Sequence, residues 1–282
     1  QPRGDVSALQ LRIGDVFHAA DDWQLEANFA DVSLESLHGA PGATAATGYT
    51  RLTPGGGVVI LDARGMSLDF PSVYREPLLF DELHGSLHLD WDAQRVRLAS
   101  GLLTTQGAEG TAKVLFALNI PLQANDIGIE MDLLVGLQDT HPVHRGKFIP
   151  YILDPTLLTW LSESIGEGVI EQGAFLWRGS LRTGATPLHT VQLAFNVADT
   201  QLRYHRAWPP VLVEQGIVTI GESNVGVAGE QVSLFASRVD RLSVETRLNA
   251  AGQILLDVQG SVHGPAGDGL KVLHNSPLAG IV

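Results

Sequence analysis

Cysteine is absent, so histidines and carboxylates are the side chains of this sequence best able to bind a metal or to act in catalysis. That absence excludes disulfides, thiolate metal sites and cysteine nucleophiles. His84 and His88 are four residues apart, but their surroundings alternate as in a strand, where such a pair lies about 13 Å apart, too far for one ion. His141 and His144 flank Pro142 and predict a solvated loop, because zinc needs three or four ligands. No metal site is expected.

Paired carboxylates could support glycoside hydrolysis. The pairs in the sequence are Asp21 with Asp22 and Asp62 with Asp69. Acidic residues outnumber basic ones by 31 to 18, so unrelated pairs are expected by chance. The sequence contains no nucleophile elbow, P-loop or dinucleotide fingerprint. We therefore expect a protein that is not an enzyme and uses no cofactor.

The composition and the net charge limit the classes of molecule that this protein can bind. The net charge of −13 argues against nucleic acid and against broad docking on anionic headgroups, which both need clustered Lys and Arg. Only 17% of the residues are charged and 44% are hydrophobic, a composition that excludes wholesale disorder. No apolar run is long enough for a membrane-spanning helix. The chain opens with Gln1, which we interpret as the start of a segment of a longer polypeptide.

Short runs of alternating apolar and polar residues dominate the chain. In one such run, Leu87 and Leu89 fall on one face, while His84 and His88 fall on the other. Gly- and Pro-rich breaks separate the runs, as at Gly264-Pro265. This pattern predicts antiparallel strands with one apolar face and one wet face, joined by turns.

One segment has helical spacing instead. The sequence predicts a helix from Asp154 to Ile165, because Asp154 can cap it and Pro155 suits the first turn. Trp160 and Leu161 are predicted to pin this helix to the end of a sheet. The alternative is that the helix gates a groove.

The helix divides the chain into two β-rich modules. We predict a first module over residues 1–152, the helical segment over 153–166 and a second module over 167–282. The modules echo each other when Gly85 is aligned with Gly216, an offset of 131 residues. Two copies of this length suggest a multi-strand unit added end to end.

Several short stretches are informative through their order and spacing. They are Gly65–Pro71, Tyr74–Leu78, Leu83–Leu87, Pro150-Tyr151, Leu158–Leu161, Gly173–Gly179 and Ala207–Pro210. Together they resemble the YhdP-type AsmA-like family, whose relatives include TamB and YdbH. The resemblance extends from about Trp23 to Pro277.

This resemblance implies a large envelope protein of Gram-negative bacteria, anchored in the inner membrane by a segment outside these residues. It implies a mostly β fold in which a long curved, antiparallel-rich sheet folds like a taco into an open apolar groove. The implied partners are phospholipid acyl chains, carried across the periplasm between the inner and outer membranes. The family offers no catalytic residues to carry over.

An open groove would be lined by the apolar faces of the strands. The residues predicted to line it and to contact lipid are Leu68, Phe70, Leu87, Leu89, Phe116, Leu118, Ile129, Met131, Leu193, Phe195, Val218, Ile220, Leu234, Val244 and Leu256. Twelve buried methylenes would contribute on the order of 10 kcal/mol, at about 0.8 kcal/mol each. The alternative is a structural or adhesive β-repeat stalk, whose filled core binds no lipid and whose surface binds protein or glycan.

Overall fold

A computed structural model describes most of the chain. The described residues are 3–18, 20–37, 40–107, 110–140, 147, 149–153, 155–164, 166, 168–182, 189–203, 206–221, 224–249 and 254–280. This part is mostly β, with fifteen strands in one antiparallel sheet and two short α-helices. The predicted β class is therefore confirmed.

The first eight strands follow the chain in sheet order, apart from a break between β6 and β7. Their bounds are β1 Arg3–Ile13, β2 Trp23–Leu34, β3 Gly42–Thr53, β4 Gly56–Asp69, β5 Leu78–Trp91, β6 Arg95–Ser100, β7 Leu103–Gly107 and β8 Gly110–Pro121. Both β6 and β7 pair with β5 on one side and β8 on the other, so together they occupy one strand position. The break lies at Gly101, whose N–H donates to the carbonyl of Ser86 at 2.8 Å.

The later strands are also hydrogen-bonded in chain order. Their bounds are β9 Glu130–Thr140, β10 Val169–Ser180, β11 Thr190–Leu202, β12 Val211–Ile220, β13 Val225–Leu234, β14 Ser237–Leu248 and β15 Ile254–His263. Short 3₁₀ helices occur at Val16–His18 and Pro277–Gly280.

Helix α1, Pro155–Ser164, confirms the predicted helix. Its predicted end residues Asp154 and Ile165, and the side chain of Trp160, lie outside the described residues. Leu161 is 1% exposed. The Ser164 carbonyl accepts from the N–H of Arg203 at 2.8 Å, so the helix end is tied to the end of β11.

Helix α2, Ala266–His274, was not predicted. The sequence Gly264-Pro265 predicts a turn, and the helix begins directly after it. Pro265 is the N-cap residue, in the extended conformation that a cap requires. Two glycines within the helix weaken its signal in the sequence.

The chain divides into two compact units. Unit 1 comprises residues 1–136, 149–152 and 176–190, and unit 2 comprises residues 137–148, 153–175 and 191–282.

In strands β11 to β14 of unit 2, the alternation of buried and exposed positions shifts by one residue. The residues at which it shifts form one row across the strands, which we call the crease. Its members are Asp199, Glu214, Gln231 and Asp240, which occupy matching positions because the pairs on both sides of them are in register. Asp199 and Gln231 have left-handed backbone conformations, with φ of 46° and 53°. A single left-handed residue disturbs the alternation of side chains along a strand.

The apolar face continues through the crease. A Cβ atom on Gly216 would lie 2.8 Å from Cγ1 of Val213, and one on Gly229 would lie 2.8 Å from Cγ2 of Val232. Each glycine is three residues from its valine, a spacing that strict alternation would place on opposite faces. Because of the shift at the crease, the apolar residues on both of its sides lie on the same face of the sheet. Glycine is required at positions 216 and 229 because a valine side chain lies over the backbone there.

Candidate functional site: the apolar face of the sheet

All fifteen residues predicted to line an apolar face are buried or half-buried. Eight are buried, namely Phe70, Leu118, Met131, Leu193, Phe195, Val218, Ile220 and Val244. Seven are half-buried, namely Leu68, Leu87, Leu89, Phe116, Ile129, Leu234 and Leu256. Burial does not distinguish a lipid-covered face from a protein core, so the assignment of these residues to lipid stays a prediction.

Unit 1 carries a row of leucines that crosses seven strands, which we call the leucine ladder. Its members, each opposite the next in the sheet register, are Leu11, Leu25, Leu52, Gly57, Leu89, Leu98 and Leu118. Residues directly opposite in neighbouring strands share a face, so the six leucines lie in one row, with Gly57 between Leu52 and Leu89.

The leucine ladder is only partly covered by protein. Leu118 is 1% exposed and Leu11 on the edge strand is 57% exposed, while the four leucines between them are half-buried. Seven strands at about 4.8 Å spacing make the row about 29 Å long. One leaflet of a bilayer core is about 15 Å thick, so an acyl chain fits within this length.

Unit 2 has a corresponding row, the valine ladder, with a different degree of burial. Its members are Phe195, Val218, Val227, Val244 and Val258. Val218 is 0% exposed, whereas Val258 on the edge strand is 48% exposed. Protein atoms therefore already cover the interior of this ladder.

The opposite face of the sheet in unit 1 carries cross-strand ion pairs, together with exposed apolar residues such as Ile60. His84 lies opposite Asp62, and its Nδ1 is 2.9 Å from an oxygen of Asp62. Arg64 is 3.5 Å from Glu82 in the neighbouring cross-strand pair. These side chains are about half exposed or more, so each ion pair contributes little to stability. This arrangement accounts for His84 and Asp62 as members of a solvated strand face.

The other candidate chemical residues do not assemble into a site. Among the described residues, no group of three or more His, Asp and Glu side chains could hold a metal ion. Asp21 and Asp22 are both exposed, beside the start of β2. His141 and His144 lie outside the described residues.

A cavity of about 690 Å³ lies in unit 2, next to the crease. Its lining includes the exposed residues Gln215, Glu230, Arg241 and Gln259. The first three each adjoin a crease residue in sequence. None of the fifteen predicted lining residues contributes to this cavity. It is therefore a feature of the crease and separate from the two ladders.

Helix α2 is attached to the turn between β13 and β14 by a carboxylate clasp. One oxygen of Asp268 accepts from the N–H of Ala236 and from Oγ of Ser237, both at 2.9 Å, and the other accepts from Nζ of Lys271 at 2.8 Å. The hydrogen bond from Lys271, with those from Ser237 and Ala236, lowers the pKa of Asp268. Lys271 also lies 5.4 Å from the ring centroid of Phe235. The clasp therefore requires an ionised Asp268.

No helix in the described part of the chain has the length and apolarity to cross a membrane. The model of the YhdP protein family matches residues 1–282. The chain belongs to the YhdP family. The family resemblance noted in the sequence is thus confirmed, and the YhdP family is one of Gram-negative envelope proteins.

Comparison with curated proteins and with solved structures found no significant match. The assignment to the YhdP family therefore rests on the family model, and the fold described above adds the arrangement of its apolar face.

Sequence reasoning placed two of the leucine ladder residues, Leu89 and Leu118, on the predicted lining. It missed Leu11, Leu25, Leu52 and Leu98, which lie on strands that the sequence did not predict separately. Each of these four leucines has at least one polar neighbour in the sequence. Their common row depends on strand register, which pairs residues far apart in the sequence.

Proposed function

We propose that the chain is a non-catalytic module that holds phospholipid acyl chains against its apolar sheet face. In the envelope it would support lipid transport between the inner and outer membranes. The observation that carries this proposal is the leucine ladder, which extends across seven strands and remains partly uncovered by protein. Membership of the YhdP family supports the same function.

The chemistry of the leucine ladder suits a mobile lipid tail. Each methylene transferred from water to an apolar surface contributes about 0.8 kcal/mol, so twelve contribute on the order of 10 kcal/mol before ordering costs. Dispersion and hydrophobic contacts have no preferred direction along an aliphatic stripe. A tail can therefore move along the stripe without breaking specific polar contacts.

Site-specific photocrosslinking tests the proposal. A benzophenone amino acid replaces Leu89 on the ladder or, as the matched control, the adjacent His88, which is exposed on the opposite face. The full 282-residue chain is incubated with vesicles of phosphatidylethanolamine and phosphatidylglycerol, irradiated and analysed by intact mass spectrometry. Lipid adducts are expected at position 89 and not at position 88. Equal labelling at both positions, or none at 89, would contradict the proposal.

A second candidate function is a stalk with a filled core, which is the alternative raised by the sequence. It is favoured by the interior of the valine ladder, where Val218, Val227 and Val244 are at most 4% exposed. Lipid extraction of the chain purified from bacterial envelopes distinguishes the two functions. Co-purified phospholipid supports the transport module, and its absence supports the stalk.

A further inference from the structure

Trp177 and His189 form a stacked aromatic pair in unit 1. Their ring centroids are 5.0 Å apart and their planes are inclined by 14°. Trp177 lies on the buried face of β10 and is 3% exposed. His189 precedes β11, close to its first residue.

Both rings carry a buried polar atom without a protein partner. Nε1 of Trp177 and Nδ1 of His189 are inaccessible to solvent, and among the described residues neither has a hydrogen-bond partner. Buried polar atoms are nearly always satisfied, because leaving one unpaired costs free energy. A phenylalanine at position 177 would pack a similar ring without this cost. Local choices that oppose stability in this way are expected at functional positions.

We propose that Trp177 and His189 anchor the ester carbonyl of an acyl lipid that occupies the apolar face of unit 1. This inference rests on the proposed lipid-binding function and specifies a polar subsite within it. The indole N–H is a donor only, and the imidazole Nδ1 donates in one of its two tautomers. A carbonyl oxygen has two lone pairs and accepts from both groups at once.

An ester carbonyl is the polar group that joins the acyl chain to the rest of a glycerolipid. Aliphatic side chains hold the tail without fixing its position, because their attraction is not directional. A pair of donors at one place would fix where the ester lies and so set the register of the tail. Trp177 and His189 are therefore binding and positioning residues, with no part in a covalent step.

The anchor is tested by comparing an ester lipid with its ether analogue. The ligands are a 1-acyl lysophosphatidylcholine and the 1-O-alkyl compound of equal chain length, which lacks the carbonyl. Binding to the full chain is measured by isothermal titration below the critical micelle concentration of each. The wild-type chain is expected to bind the ester about tenfold more tightly, as one or two net hydrogen bonds predict. Trp177→Phe removes one of the two donors and is expected to lose part of the preference for the ester.

Trp91→Phe is the matched control, since Trp91 is a half-buried tryptophan of β5 in the same unit. It is expected to keep the tenfold preference for the ester. His189→Phe retains a stacked ring without Nδ1 and is expected to lose part of the preference. If Trp177→Phe fails to fold, the His189→Phe variant tests the anchor instead.

The possible failures are distinguishable. If Trp177→Phe and His189→Phe both keep the full preference for the ester, the anchor is wrong and the proposed function stands. Equal binding of ester and ether by the wild-type chain would also disprove the anchor and leave the proposed function standing. If the wild-type chain binds neither ligand, the proposed function itself is wrong, and the anchor with it.

Discussion

Gly229→Ala tests whether the apolar face of unit 2 passes unbroken through the crease. The new Cβ atom would lie 2.8 Å from Cγ2 of Val232 and 3.3 Å from Cγ1 of Val213. Both valines are 0% exposed, and their β-branched side chains are restricted in rotation. Overpacking of this kind costs about 1–3 kcal/mol, against a gain of about 0.5–1 kcal/mol for replacing a strand glycine by alanine. A net loss of about 1–2 kcal/mol in the free energy of unfolding is expected.

Gly226→Ala is the matched control in the same strand. Its Cβ atom would meet only Oγ1 of Thr219, at 2.7 Å, and the exposed threonine can rotate away. This variant should be as stable as the wild type or up to about 1 kcal/mol more stable. Urea denaturation of the full chain, followed by far-UV circular dichroism, compares the two variants. If Gly229→Ala is no less stable than Gly226→Ala, Val213 and Val232 do not close over the glycine, and the face does not continue as described.

Two further predictions concern burial and pH. Leu118→Asp should prevent folding, because it places an unpaired carboxylate where the side chain is 1% exposed; a cooperative thermal transition at the wild-type temperature would disprove this. The lowered pKa of Asp268 means that its clasp contributes stability above the ordinary carboxyl pKa near 4 and loses it as the pH falls through the lower, folded-state value. The protection factors of the α2 amides, which correct for the intrinsic pH dependence of exchange, should therefore be high at pH 7 and low in strong acid. In Asp268→Ala they should be low at both pH values, and equal protection in the two proteins would rule out the clasp.

The β class was predictable because alternation of apolar and polar residues is a local property of the sequence. Strand β3 was harder to predict, since its buried residues are Gly42 and Ala46, which give little hydrophobic contrast. Helix α2 was hidden for a related reason, because Gly267 and Gly269 lower its helical propensity. In each case the tertiary structure overrides a weak local preference.

The crease could not be predicted from alternation. It depends on left-handed backbone at Asp199 and Gln231, residue types that adopt this conformation less readily than glycine. The ladders could not be predicted from the sequence for a different reason. They join residues from as many as seven strands, and a shift of one residue in any strand would turn its leucine to the other face. Identifying the apolar residues is therefore possible from sequence, whereas grouping them into rows requires the register.

The two ladders are built from similar residue types but differ in how far protein atoms cover them. Both consist of apolar residues in register, yet the interior of the valine ladder is covered by protein while the middle of the leucine ladder is only half covered. Short β-branched side chains beside glycines let the crease close tightly, as Val213 does over Gly216. Leucines extend further from the backbone and have no such glycine row to close upon, apart from Gly57. The difference in side-chain length and glycine placement thus favours unit 1 as the part that receives a lipid tail. Unit 2 has the closer packing that a rigid support requires.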